Sequence, residues 1–325
     1  MISMLLFGLL ALIFVSAALA PLESLGWWAW GGAKPPRPDQ LEAVEASQKI
    51  PEPTKDFYLV YLSGIGAISG TSIPEEEYPF IRGLEAQLGN AEVISDIYPY
   101  SVTNTGLTVQ PIMAGLWQRI ERMRSKDPNS APSLVVNLRN AFQLFVSADR
   151  RYGPIYNLGV ANEIMRGLIR HGYRPLKRKP VVLLGWSGGG QIAIGAVTYL
   201  APMIGDVYVI SVGGMLSDDI GLRQVKHLWH LYGEKDQLQA LGQKLFAGRW
   251  PTKPQSPWNR TRRAGKIDLI ALGPFKHNGQ GNYFDMATKL PDENRTYGEK
   301  TLDTIAQVLT KAGLLKHAPN QSELP

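Results

Sequence analysis

The chain has 325 residues, 44% of them hydrophobic and 19% charged, which suffices for one sizeable globular domain once a segment at each end is set aside. Zero cysteines exclude disulfides, a cysteine nucleophile and thiolate metal sites. No internal repeat or metal-ligand cluster stands in the sequence, so neither a repeat array nor a cofactor is expected.

The first element is Ile2 to Leu22, uncharged and mostly apolar, whose 21 residues cover about 30 Å at the helical rise, one bilayer core. Residues 1–32 therefore read as a single-pass N-terminal anchor with a transmembrane helix. A cleaved signal peptide ending at Ala18-Leu19-Ala20 is the alternative, but no Lys or Arg precedes the apolar run and Pro21 would follow the cut. Trp27, Trp28 and Trp30 suit the headgroup interface. Lys34 and Arg37 beyond them place the rest of the chain in the cytoplasm by the positive-inside rule, with export after signal cleavage as the alternative. Residues 33–56, with Pro35, Pro36, Pro38, Pro51 and Pro53, read as a semi-rigid linker.

Residues 57–325 form the folded domain. Strands are expected near 57–62, 92–97, 180–185, 206–212, 228–232 and 267–272, alternating with helical stretches, which gives an α/β class and a mostly parallel sheet of about six strands flanked by helices. After the first strand, Gly64, Gly66 and Gly70, with Asp96 after the second, imitate a dinucleotide fingerprint. The spacing is one residue too long, and Glu75, Glu76 and Glu77 at the start of the next helix would repel a pyrophosphate. More than eighty residues separate the second and third strands. That length predicts a helical cap or lid insertion within about 102–150. Ile112, Leu116 and Ile120, with Met113 and Trp117, recur at helical spacing there, and Leu134 to Val146 is apolar on more than one face. An additional pair of core helices accounts for most of those residues equally well.

The third strand, Pro180 to Leu184, runs into Gly185-Trp186-Ser187-Gly188-Gly189 and then a small, apolar helix. A serine between glycines at a strand-to-helix turn is the pattern of a nucleophile elbow, in which a Cβ at the flanking positions would clash. A serine hydroxyl needs a histidine to take its proton and an acid to orient that histidine. Of five histidines, His171 suits a helix cap, His227 and His230 accompany the strand Leu228 to Tyr232, and His317 lies in a polar tail from about 316. His277 instead stands in the loop after the sixth strand. The acid is expected in the turn after the fifth strand, at Asp236, with Glu234, Asp218 and Asp219 as competitors.

The net charge of +6 is concentrated between Gln237 and Ile267, which hold seven basic residues (Lys244, Arg249, Lys253, Arg260, Arg262, Arg263, Lys266) and no acidic one. With Trp250 and Trp258, the 244–266 segment suits anionic lipid headgroups, and a solvated loop whose charge serves solubility is the equal competitor. Nucleic acid is not an expected partner, because no binding module accompanies the charge.

With its elbow and the order Ser187, Asp236, His277, the chain resembles the α/β-hydrolase fold superfamily, the lipase- and esterase-like serine hydrolases, rather than chymotrypsin or subtilisin. The resemblance covers about residues 57–315 and implies Ser187, Asp236 and His277 as catalytic residues on loops at the strands' C-terminal ends. It also implies an oxyanion hole from the amides of Gly188 and Ile65. The His-Gly of many relatives is absent, which leaves Gly64 and Gly66 as alternatives to Ile65. The two antiparallel strands that usually open such a sheet have no room here. For activity it implies cleavage of an ester, a lipid or another apolar acyl substrate, through an acyl-enzyme. Acyl transfer and thioester or peptide hydrolysis use the same apparatus, and a non-catalytic binding protein is the reading from another class.

Overall fold

The computed structural model describes residues 8, 21–22, 24–29, 55–67, 69, 73–102 and 131–316. Of the expected anchor, residues 1–32, only Gly8, Pro21, Leu22 and residues 24–29 are among the described residues; residues 33–54 of the linker, the apolar helical pattern from Ile112 to Ile120 and the tail from 317 lie outside them. Among the described residues no helix is long and apolar enough to cross a membrane. Of the tryptophans expected at a headgroup interface, Trp28 is exposed, whereas Trp27 is half-buried and packs on the hydrophobic core.

Six strands form one sheet: β1 (Phe57–Leu62), β2 (Ala91–Ile94), β3 (Val181–Trp186), β4 (Val207–Val212), β5 (Leu228–Tyr232) and β6 (Ile267–Ala271). They lie in the order β2-β1-β3-β4-β5-β6, every pair parallel. Central strands β1, β3 and β4 are buried along their whole length, which is why Phe57-Tyr58-Leu59-Val60-Tyr61-Leu62 reads as a continuous apolar run rather than an alternation. The edge strands β2 and β6 are partly exposed. Five of the six strands fall within a residue of their expected bounds, and β2 ends three residues early, at Ile94.

The helices are α1 (Glu77–Gln87), α2 (Ala131–Ala148), α3 (Gly153–Arg170), α4 (Gly188–Ile204), α5 (Gln237–Leu245), α6 (Pro257–Arg263) and α7 (Tyr297–Lys311). The chain steps from β1 to β2 in one direction and resumes at β3 on the other side of β1. Right-handed crossovers then send α1 and α4 to opposite faces and open a crevice between the C-terminal ends of β1 and β3. Helix α4 packs on β3 and β4 and, on its other side, on α2 and α3, while α1 packs on α7. Leu134 to Val146, expected as lid or core, is thus within a helix of the scaffold, with Val136, Leu144 and Val146 buried.

This topology disfavours the dinucleotide reading. Helix α1 begins only at Glu77, well beyond the end of β1, and Asp96 is held by Arg170 at 2.9 Å. Glu77 itself is buried and accepts from the Tyr61 and Ser63 hydroxyls, both at 2.7 Å. A carboxylate inside the loop after β1 is the opposite of a pyrophosphate cradle.

Candidate active site

The crevice at the switch point holds the turn from β3 into α4. Ser187 has φ 51° and ψ −116°, a left-handed conformation rare outside glycine, and its N–H donates to the Val212 carbonyl at 3.0 Å. The flanking glycines are steric necessities. A Cβ on Gly185 would lie 2.5 Å from the Gly189 carbonyl group, and one on Gly189 would lie 2.2 Å from the Leu62 carbonyl oxygen. The turn therefore fits only because the strand before it and the helix after it can touch through backbone.

Three expected side chains meet at this turn. Ser187 Oγ is 2.9 Å from His277 Nε2, and His277 Nδ1 is 2.8 Å from Asp236 Oδ2. A carboxylate only accepts, so Nδ1 carries the proton and Nε2 is left to accept from the serine hydroxyl. Asp236 is buried and also serves the helix that follows it, since its Oδ1 accepts from the Gln239 N–H at 2.9 Å and caps the first turn of α5. The competing acids lie elsewhere. Glu234 is exposed, Asp218 pairs with Arg150 at 3.0 Å, and Asp219 accepts from the Gly221 N–H at the turn 220–223.

The expected oxyanion donors are also neighbours. Gly188 opens α4, where the first amides have no partner within the helix, and a Cβ placed on it would lie 3.0 Å from Ile65 Cγ2 and 3.0 Å from Leu144 Cδ1. The loop bearing Ile65 is clamped from α2. Fully buried Asn140 donates to the carbonyls of Ile65 at 2.7 Å and Ala67 at 2.8 Å, and accepts from the Tyr98 hydroxyl at 3.0 Å. Gly64 lies against the Trp186 ring, which a Cβ there would enter at 2.6 Å.

Several contributors were not legible in the sequence. Tyr283 donates its hydroxyl to Asp236 Oδ2 at 2.8 Å while accepting from the Gly233 N–H at 2.7 Å. Burial, and then the Asp236 charge, push its phenol far above the ordinary tyrosine value, so it remains a donor. Trp186, the residue before the serine, stacks on the His277 imidazole with centroids 4.6 Å apart and 22° between planes. His230 is wholly buried, which pushes it down to about 3, with the Arg249 charge contributing, so it is neutral. It joins Ser211 at 3.2 Å to the Gln239 amide at 2.8 Å beneath the acid. Asn140 was the one with a local signal, a polar residue inside an apolar helical stretch. Tyr283 had none.

A cavity of about 900 Å³ opens along the outer half of α4, lined by Gly195, Thr198, Tyr199, Ser217, Asp219 and Pro257 among others. It borders none of Ser187, His277 and Asp236. The two competing acids Asp218 and Asp219 line it instead.

No family model matches the chain, and no curated protein matches it significantly. Among solved structures it is similar to a dienelactone hydrolase-like promiscuous phosphotriesterase from metagenomic libraries, at 12% identity and TM-score 0.43 over 82% of this chain and 88% of that one. It is also similar to carboxyl esterase 2 of the mycorrhizal fungus Tuber melanosporum, at 10% identity and TM-score 0.43 over 81% and 78%. A protein of unknown function from Agrobacterium tumefaciens matches at 11% identity and TM-score 0.37 over 79% and 92%. At scores this low the fold assignment rests on this chain's own sheet order and elbow. Those features, with the order of Ser187, Asp236 and His277 along the chain, give it an α/β-hydrolase-like architecture.

Proposed function

We propose that the protein is a serine hydrolase that cleaves an ester of a lipid or other apolar acyl compound. The observation that carries this reading is Ser187 Oγ at 2.9 Å from His277 Nε2 on a backbone held at φ 51°. Ser187 Oγ attacks the acyl carbon and its proton passes to Nε2. The N–H groups of Gly188 and Ile65 bind the oxyanion of the tetrahedral intermediate. Collapse expels the alcohol, which takes the proton from Nε2, and leaves an acyl-serine that water hydrolyses by the same proton path. Asp236 holds the imidazolium through Nδ1, and the Trp186 ring face beside it favours the same cation. Ile65 and Leu144 beside the Gly188 amide supply an apolar wall, which favours an apolar acyl group. The enzyme is tethered by Ile2 to Leu22, with the folded domain on the cytoplasmic side.

Labelling of the full-length protein with a fluorophosphonate probe tests the chemistry. A label on Ser187 that is lost in Ser187→Ala and in His277→Ala is the expected result. A folded wild-type protein that takes up no label would overturn the reading in favour of a non-catalytic binding protein.

A further inference from the structure

Helix α5 is inverted relative to an ordinary surface helix. Its buried residues are Gln239 and Gly242, and a Cβ on Gly242 would lie 2.8 Å from Met215 Cγ. Beside Gln237, Gln243 and Lys244, its outward residues include Leu238, Leu241 and Leu245, exposed by 43, 40 and 51%. Spacings of three and four put these leucines on one stripe. The inner face has a reason to be polar, because the Gln239 amide is bonded to buried His230 and its backbone N–H to Asp236. The outward leucines, in contrast, leave 40–51% of their surface in solvent.

The stripe continues beyond the helix. Trp250, 44% exposed, donates its indole N–H to the Gln243 carbonyl at 3.0 Å, which ties the ring to the end of α5. The surrounding segment from Gln237 to Ile267 has seven basic residues and no acidic one, and Lys244, Lys253, Arg260, Arg262 and Arg263 are exposed. Apolar stripe, interfacial tryptophan and uncompensated positive charge occur on one stretch of chain.

We propose that the outward face of α5, with Trp250, Lys244 and Lys253, docks on the anionic surface of a lipid bilayer. The leucines enter the headgroup boundary, the lysines meet lipid phosphates, and the Trp250 N–H enters already satisfied by Gln243. Charge decides the occupant. A second copy of this chain would bring the same positive segment against itself, whereas an anionic surface compensates it. Because Asp236 caps the start of α5, docking brings the C-terminal edge of the sheet, with Ser187 and His277, towards the lipid. The surface is independent of the proposed chemistry and is testable without turnover.

The chain has no cysteine, so Leu241→Cys provides a unique site for an environment-sensitive fluorophore. The full-length labelled protein is placed in nanodiscs of phosphatidylcholine with and without phosphatidylserine. A label at exposed Leu176→Cys, just before the N-terminal end of β3, serves as control. The expected result is a blue shift and quenching by nitroxide-labelled lipid at position 241 on the anionic discs and no change at 176. Lys244→Gln with Lys253→Gln should weaken docking roughly thirtyfold, and Leu238→Glu with Leu245→Glu should abolish it. Water-like emission at 241 on both discs would overturn the proposal. So would an equal shift on neutral and anionic discs, or a shift that rises with protein concentration without lipid, which would assign the stripe to a second copy.

Discussion

Replacing Tyr283 with phenylalanine removes one oxygen from the site and leaves its packing in place. The ring keeps its edge contact with Trp186 at 5.2 Å and its contact with Phe275 at 5.5 Å. Two hydrogen bonds disappear: the donation to Asp236 Oδ2 and the acceptance from the buried Gly233 N–H. A bond to a charged acceptor contributes about 1.5–3 kcal/mol, and an amide left buried without a partner costs about 1–3 kcal/mol. The contributions overlap, so a stability loss of roughly 2–4 kcal/mol is expected. For a domain of this size that lowers Tm by about 5–10 °C. Catalysis should suffer differently. Asp236 keeps His277 and the Gln239 N–H but loses the donor that fixes Oδ2 from the other side, so the imidazole is held less firmly in the geometry that accepts the serine proton. We expect kcat on a short p-nitrophenyl ester to fall about tenfold, well short of the roughly 10⁴-fold loss when a triad acid is disabled, with KM unchanged. Denaturant unfolding and steady-state kinetics on the same preparation read both. A variant with wild-type stability and wild-type kcat would refute the assignment of Tyr283 as a positioning residue for the acid.

Asn140→Ala withdraws both amide donations from the loop that carries Ile65. It should lower kcat by about tenfold to a hundredfold without raising KM, and unchanged kcat in a folded variant would remove Ile65 from the oxyanion hole. A third prediction concerns pH. Burial pushes Asp219 up to about 6, so between about pH 4 and 6 the native protein holds a proton there that the unfolded chain lacks, and stability falls as pH rises. Burial pushes His230 down to about 3, so over the same window the unfolded chain holds a proton that the native protein lacks, and stability rises with pH. The two slopes oppose each other at about 1.4 kcal/mol per pH unit each. Asp219→Asn removes only the first, so urea unfolding should show the variant gaining about that much per unit on wild type across this window. Parallel stability curves would refute the protonated state of Asp219.

Much of the fold was written locally. A strand buried on both faces must be apolar at every position, so runs such as Val181 to Trp186 declare a parallel sheet with little help from context. The elbow was legible for a similar reason, since Gly185 and Gly189 answer a clash between adjacent segments. Asp236 and His277 could be named as candidates because the chain must leave each parallel strand at the same edge, which brings loops distant in sequence to one line. Asp218 and Asp219 leave the sheet at that edge too, and their separation from Ser187 depended on how the loop after β4 folds back over α4. Tyr283 and Trp186 show the limit: their roles depend on which atom lies opposite each polar or aromatic group after packing, and nothing in their neighbours along the chain encodes it, whereas Asn140 stood out only as a polar residue in an apolar stretch, with no sign of its partners. The inverted face of α5 is a further case, because the same leucines would be core residues had the helix turned half a revolution. The sequence by itself determined the strands, the crossovers and the serine at the turn, since these follow from burial periodicity and short-range sterics. Only the tertiary structure decided which acid meets His277, what supports that acid and which apolar face stays outside, since these depend on side-chain contacts between segments tens of residues apart.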